Sequence, residues 1–381
     1  MKIAYCSNTN VPTRAAEGID TIKRCQWFNE IGNEVILLVP DEPEPEANKD
    51  PYKFYGIPNT FPIVRLPWLG IPGKRLLCGC LAAGKAKQER VDLAYARSIY
   101  AALFTVLFGI DTVVECHTPV IDAGLVPDLA FRGTIRSAQF RRLVVITEPL
   151  KKHFLGRYEI PEEKIMVASE AADDFSDAKP ISAGIDNDRF KIGYVGSLYP
   201  GKGMGVISQL TERCRWADFH CVGGTEEDIQ RWKNEVGERE NMVFHGYVQP
   251  NEVARYCQSF DVLIAPYQRE ISAYDGDASN LAHWTSPLKL FEYMSAGKPI
   301  LCSDLPVLHE VVTDGHNALL CAPGDINAWV QALEQLRDDD DLRDRLAETA
   351  RQEYEAKYTW EARAEKVLAG LSPGESNQVH G

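Results

Sequence analysis

Short apolar runs alternate with helically spaced segments along nearly the whole chain. The first run, IAYCSN, leads into a polar loop from Asn10 to Gly18. From Ile19 to Ile31, the residues Ile19, Ile22, Cys25, Trp27, Phe28 and Ile31 recur close to the spacing of one helix face. Gly32-Asn33 stops that helix, and EVILLVP follows as the continuous apolar run of a strand buried on both faces. This predicts a βαβ unit, whose right-handed crossover begins a parallel, doubly wound sheet. PIVRLP, LAYARS, DTVVECH and RRLVVIT supply further strands, and Glu148-Pro149 opens a helix with proline in its first turn.

After KIMVASEAADDF the segment 176–188 turns polar, with Pro180, Gly184 and several aspartates, and is expected to be a linker. A second βαβ series then runs through FKIGYVGS, DFHCVG, MVFHGYV, DVLIAPY, KPILCSD and ALLCAP. Helical segments such as 226–236 and 287–296 separate those strands. A strong helical pattern near 342–371 is interrupted at Tyr358-Thr359-Trp360, and 373–381 is expected to be a flexible tail. The fold class is therefore α/β, with two tandem Rossmann-like doubly wound domains, 1–175 and 189–354. Their strand C-terminal ends are expected to face across a shared cleft.

Composition narrows the partners. The chain has 381 residues, more than one ordinary core accommodates, and a net charge of −14. A field of that sign repels nucleic acid and anionic lipid, so an anionic substrate needs a pocket that concentrates cations locally. The ten cysteines are scattered, several within apolar runs, as buried thiols of a cytoplasmic protein would be. Cys78-Gly79-Cys80 lacks the partner pair of a zinc site. Met1-Lys2 leads directly into the first strand, so no cleavable leader is expected, and 101–114 is too short to span a bilayer. Residues 61–77 mix Trp68, Leu69 and Ile71 with Arg65, Lys74 and Arg75. Core packing with solvated basic residues is the favoured explanation, and an acceptor-side segment or a weak contact at the inner membrane face is the alternative.

Two stretches carry candidate chemistry. In IGYVGSLYPGKGMG, residues 192–205, a strand ends at Val195 and a loop with Gly196, Gly201, Gly203 and Gly205 precedes a helix. Glycines admit an anion close to the backbone, the helix start offers free N–H groups, and Lys202 adds a positive charge. The spacing is not that of a Walker loop, and a plain strand-to-helix turn is the competing explanation. In SPLKLFEYMSAGKP, Ser286 is expected to cap a helix that starts at Pro287, leaving the N–H groups of Leu288 and Lys289 for a phosphate. Glu292, one to two turns on, reaches a ribose placed beside it. An ordinary helix–strand unit with a surface glutamate is the alternative here.

These stretches resemble glycosyltransferase family 4, retaining nucleotide-sugar enzymes of the GT-B architecture. GSLYPGKG resembles the family's phosphate loop, G-R-L-x-x-x-K-G, and PLKLFEYMSAGKPILCSDLPVLHEVVTDGHNALLCAPGD its donor-binding region. EAADDF takes the place of N-G-V-D. YTWEARAEKVL resembles the closing helix, here 355–372, which returns to the N-terminal domain. The resemblance implies transfer of a sugar from a nucleoside diphosphate to an acceptor hydroxyl, without a metal. The acceptor, a glycan, a lipid-linked sugar or a small molecule, is left open. Lys202 is then the pyrophosphate cation and stabilises the leaving group; Glu292 binds the ribose; Leu288 and Lys289 offer backbone N–H groups. Gly18, Ser197 and Pro287 fall at donor-contacting positions, Tyr247-Val248 where the nucleobase packs, and His117 at a catalytic histidine; on spacing alone, a strand-end histidine hydrogen-bonded beside Glu115 is the competing explanation.

Two departures stand out. Ser197 occupies the place of the family's arginine, and Trp284 that of the first of its paired glutamates, which usually contacts the sugar. Asp275, Asp277 or His283 could substitute for the latter. Arg97, Asp173 and Asp174 lie at expected cleft edges, where ion-pair or capping roles compete with substrate contact. The rival functions are a nucleotide-sugar epimerase of the same architecture and a catalytically silent binding protein. A dehydrogenase is disfavoured, because no G-x-G-x-x-G follows the first strand.

Overall fold

The computed structural model describes residues 1–181, 187–237, 239–272 and 280–371. The chain divides into two compact units, Met1–Ser169 with Trp360–Gly381, and Glu170–Thr359. Asp275, Asp277, the tail 373–381 and much of the expected linker lie outside the described residues.

The first unit holds seven strands: β1 Lys2–Cys6, β2 Glu34–Pro40, β3 Ile63–Leu66, β4 Leu93–Ala96, β5 Asp111–Cys116, β6 Phe140–Val145 and β7 Ile165–Val167. They lie in the order β3-β2-β1-β4-β5-β6-β7, and each neighbouring pair is parallel. The order reverses between β1 and β4, the switch point at which ligands bind such sheets. Helices unmarked by the apolar pattern, including Lys74–Gln88, Ile99–Leu107 and Leu125–Ile135, cover the sheet.

The second unit holds β8 Phe190–Val195, β9 Ala217–Val222, β10 Met242–Gly246, β11 Val262–Ala265, β12 Ile300–Ser303 and β13 Leu319–Cys321. The order β10-β9-β8-β11-β12-β13 is again parallel throughout, with its switch point between β8 and β11. Two apolar layers flank this sheet. One includes Leu290, Phe291, Tyr293 and Met294; the other includes Ile207, Leu210, Trp329 and Leu333.

The structure moves several expected boundaries. The first long helix spans Ala16–Glu30, so Gly18 lies in its first turn rather than in a loop. The first unit ends at Ser169, not 175, because Ala172 and Phe175 pack into the core of the second. The closing segment rejoins the first unit at Trp360, since the helix before it runs unbroken from Asp340 to Lys357. There the helix Trp360–Leu368 buries Trp360, Ala364, Val367 and Leu368, each contributing about 1.5–3 kcal/mol if large and fully covered.

Segment 61–77 splits between β3 and the next helix. Arg65 donates to Asn10 Oδ1 at 2.9 Å and to the Val11 carbonyl at 2.8 Å, a structural use of that cation. Leu69 and Ile71 remain about half exposed, at 48% and 49%. All ten cysteines are free, Cys80 alone being only partly buried. No helix among the described residues is long and apolar enough to cross a membrane.

Candidate functional site

In the second unit the polar groups gather at the C-terminal ends of β8 and β11, where the sheet order reverses. The loop after β8 passes through Gly201 and Gly203, both with positive φ. A Cβ on Gly201 would stand 2.0 Å from the Glu270 carbonyl oxygen, and one on Gly203 2.3 Å from that of Pro266. Only glycine permits this contact of backbone against backbone, so these two residues shape the loop whatever it binds. Gly203 precedes the helix Met204–Arg213, and no side chain caps that helix. Lys202, half-buried, holds its ammonium 5.6 Å from the centre of the Tyr267 ring. Burial lowers its pKa to about 8.

The donor-region helix spans Leu288–Ser295, with Pro287 in the capping position and no side-chain cap. The expected Ser286 cap is absent: its hydroxyl accepts from the Glu170 N–H at 3.1 Å instead. The first N–H groups of this helix are not taken by a side-chain cap. Tyr293 fixes this helix to the sheet, its hydroxyl accepting from the Val195 N–H at 2.9 Å. The end of β8 and this helix are thus tied to each other beside the switch point.

Glu292 is half-buried on the same helix. Burial raises its carboxyl, Lys289 opposes and Asp173 adds to the rise, leaving it at about 7. Lys289 points inward rather than only lending its backbone, and its ammonium lies 3.8 Å from the centre of the Tyr194 ring. Ser197 stands directly after Gly196, and its carbonyl accepts from the Tyr194 hydroxyl at 2.6 Å.

Other expected members are more loosely placed. Tyr247 and Val248 follow β10, Val248 packing against the core. Trp284 ends the short turn Leu281–His283, and His283 is exposed. Asp174 is held by Arg351 at 2.6 and 2.7 Å and accepts from the Ser176 N–H, so it takes the ion-pair and capping role. Asp173 raises the Glu292 carboxyl through its charge.

In the first unit, His117 follows β5 within a chain of charges. Arg97 Nη2 meets His117 Nδ1 at 3.0 Å, and His117 Nε2 meets Glu115 Oε1 at 2.8 Å. A guanidinium only donates, so Nδ1 accepts and Nε2–H donates: this is the neutral tautomer with both nitrogens engaged. Burial and Arg97 lower the His117 pKa, with Glu115 opposing. Burial disfavours the Glu115 carboxylate, but Arg24 and Arg363 outweigh it and hold the group well below the usual range. Arg24 and Arg363 reach it at 3.1 and 2.9 Å, while Asp20 pairs with Arg24 at 2.7 Å and Arg97 at 3.0 Å.

Gly18 has a packing reason for its identity. A Cβ there would stand 2.2 Å from the Tyr55 hydroxyl and 2.6 Å from a Thr13 methyl. The sequence offered the His117–Glu115 contact as the structural alternative, but not the Arg24 and Arg363 pairs that complete the network, nor the inward tip of Lys289. The second had a signal: Lys289 lies one turn before Tyr293 on a helix whose remaining residues are largely apolar.

Comparison with known proteins matches each unit to one family description. Residues 25–174 match "Glycosyltransferase Family 4", and residues 189–339 match "Glycosyl transferases group 1". The alpha-D-kanosaminyltransferase of Streptomyces kanamyceticus is 23% identical over 314 residues, which cover 76% of this chain and 77% of that protein. A D-inositol 3-phosphate glycosyltransferase of Corynebacterium urealyticum is 28% identical over 190 residues, 46% of this chain and 41% of the relative. Among solved structures, Anabaena HepE in complex with UDP and glucose superposes with a TM-score of 0.74 at 15% identity, covering 98% of this chain and 100% of that one. Both units being matched in this way, and both having the parallel topology of the GT-B fold, the chain belongs to the group 1 glycosyltransferases of family 4.

Proposed function

We propose that the chain transfers a sugar from a nucleoside diphosphate to an acceptor hydroxyl with retention of the anomeric configuration, using no resident metal. The observation that carries this is the meeting of Lys202, the glycine-shaped loop and the uncapped start of helix Leu288–Ser295 at the second unit's switch point. Departure of the diphosphate builds charge on its oxygens. A cation and oriented N–H groups already in place stabilise that charge without rearranging. Glu292 serves the ribose, its raised carboxyl suiting a buried hydrogen bond to hydroxyls. Tyr247 and Val248 offer a surface for the base.

The first unit supplies the acceptor side. His117 has both ring nitrogens engaged, which argues against a role as proton acceptor. The departing phosphate then takes the acceptor proton as the new bond forms on the same face of the sugar. Support for a nucleotide-sugar donor comes from HepE, solved with UDP and glucose, and for glycosyl transfer from the kanosaminyltransferase. Trp284 at the usual sugar-contacting position leaves the transferred sugar undetermined.

The test is a thermal-shift panel of UDP-, GDP-, ADP- and dTDP-sugars, followed by acceptor assays with the donor that stabilises the protein. Expected are selective stabilisation, acceptor-dependent release of the nucleoside diphosphate, an unchanged rate in chelator, and a retained anomer by NMR. Epimerisation of the sugar without acceptor, or binding without turnover, would sink the proposal in favour of the rival functions.

A further inference from the structure

Lys289 is the oddity of the donor site. Its side chain is buried, at 8% exposure for the residue, and its ammonium has no hydrogen-bond partner among the described residues. Burying an unpaired ammonium costs several kcal/mol or forces it to lose its proton, so such a group in a core ordinarily gives way to an apolar one. Here two rings partly replace the missing water, with Nζ 3.8 Å from the centre of Tyr194 and 5.1 Å from that of Tyr267.

The direction of the side chain is informative. A Cβ on Gly196 would stand 2.8 Å from Nζ, so the amine rests against the first residue of the phosphate loop. Ser197, where the resembling family carries its arginine, is the next residue. The Tyr194 ring beneath the amine also bonds the Ser197 carbonyl through its hydroxyl. Lys289 Nζ and Lys202 Nζ both lie over Tyr267.

We infer that the Lys289 side chain is the second diphosphate-binding cation of this site, reaching from the donor helix to the loop after β8 at Gly196 and Ser197. This rests on the donor reading above. The unpaired amine is then a group held ready for an anion, and a phosphate oxygen supplies its partner. Its proton affinity agrees in direction, since burial and then Lys202 lower its pKa well below the usual lysine value, with Glu292 opposing. The negative charge of a bound diphosphate opposes both effects.

The experiment compares wild type with Lys289→Met, which keeps the length and apolar stem of the side chain. Titration calorimetry with UDP, GDP, ADP and dTDP first identifies a diphosphate that binds wild type. Lys289→Met is expected to bind it about tenfold or more weakly, and to melt at a higher temperature than wild type without ligand, since a buried unpaired cation is gone. Equal affinity in the folded variant overturns the assignment of Lys289 and leaves the donor reading intact. Failure of wild type to bind any of the four overturns both. A crystal structure of wild type with the bound diphosphate tests the same point without a variant. Nζ within about 3 Å of a phosphate oxygen supports the inference, and Nζ beyond about 5 Å overturns it.

Discussion

Glu115 is buried and Glu292 half-buried, and their surroundings push them in opposite directions. Glu115 lies in β5, faced by Arg24, Arg363 and His117, and stays ionised far below the usual range. Glu292 lies on the helix Leu288–Ser295, where burial dominates and raises its carboxyl to about 7. Near each, cations are arranged differently. Those around Glu115 have carboxylates within bonding distance, while Lys289 has aromatic faces and, among the described residues, no hydrogen-bond partner. Two sheets of the same topology thus carry a neutralised cluster in one case and an uncompensated one in the other. The first arrangement holds structure together; the second is what a site awaiting an anion requires.

The contrast can be broken most forcefully at Glu115. Glu115→Ala leaves Arg24 and Arg363 buried without their shared carboxylate and is expected to cost about 3–5 kcal/mol of stability, read by urea unfolding. A loss comparable to that of a surface substitution would mean the cluster is not structural.

The pH profiles should have opposite signs. Glu115 has a depressed pKa in the folded state, so its contribution is present above its ordinary value of 4.5 and is lost as pH falls. Glu292 has a raised pKa, so its contribution is complete below 4.5 and is lost as pH climbs to about 7. Glu292→Gln should therefore match wild type in stability below pH 4.5 and exceed it by about 1–3 kcal/mol above neutrality. A constant difference across that window would remove the contrast.

Lys202→Ala sharpens the same point from the ligand's side. Donor affinity is expected to fall about tenfold or more, or at least about 1.4 kcal/mol, with little change in the unfolding midpoint. Asp174→Asn marks the lower limit. Its pair with Arg351 is partly exposed, so the change should cost less than about 1 kcal/mol and leave donor binding unaltered.

How far these differences were legible in the chain depends on which forces leave a pattern. Apolar runs mark strands buried on both faces, and EVILLVP, DVLIAPY and KPILCSD all became parallel strands. The glycine-rich loop after β8 was legible too, and Gly201 and Gly203 prove to be required by close backbone contacts. Charged residues turned inward were not. Asp20 and Arg24 occupy the polar side of an amphipathic spacing, and nothing local distinguishes a solvated helix face from one closed by Glu115 and Arg363. Ser286 has the identity of a helix cap, but a partner 116 positions away in the chain, the Glu170 N–H, claims its hydroxyl. Gly18 was expected to contact the donor, and Tyr55 accounts for its lack of a side chain.

The two ends of the second unit meet. Ala172 and Thr359 form a parallel bridge, and the Ala172 N–H donates to the Tyr358 carbonyl at 3.1 Å. Topologically this unit is an insertion whose entry and exit are stitched side by side, the arrangement that most readily survives excision or circular permutation. A fragment from Glu170 to Thr359 would have its cut ends already adjacent, and could be prepared as a stand-alone receptor for screening nucleotides.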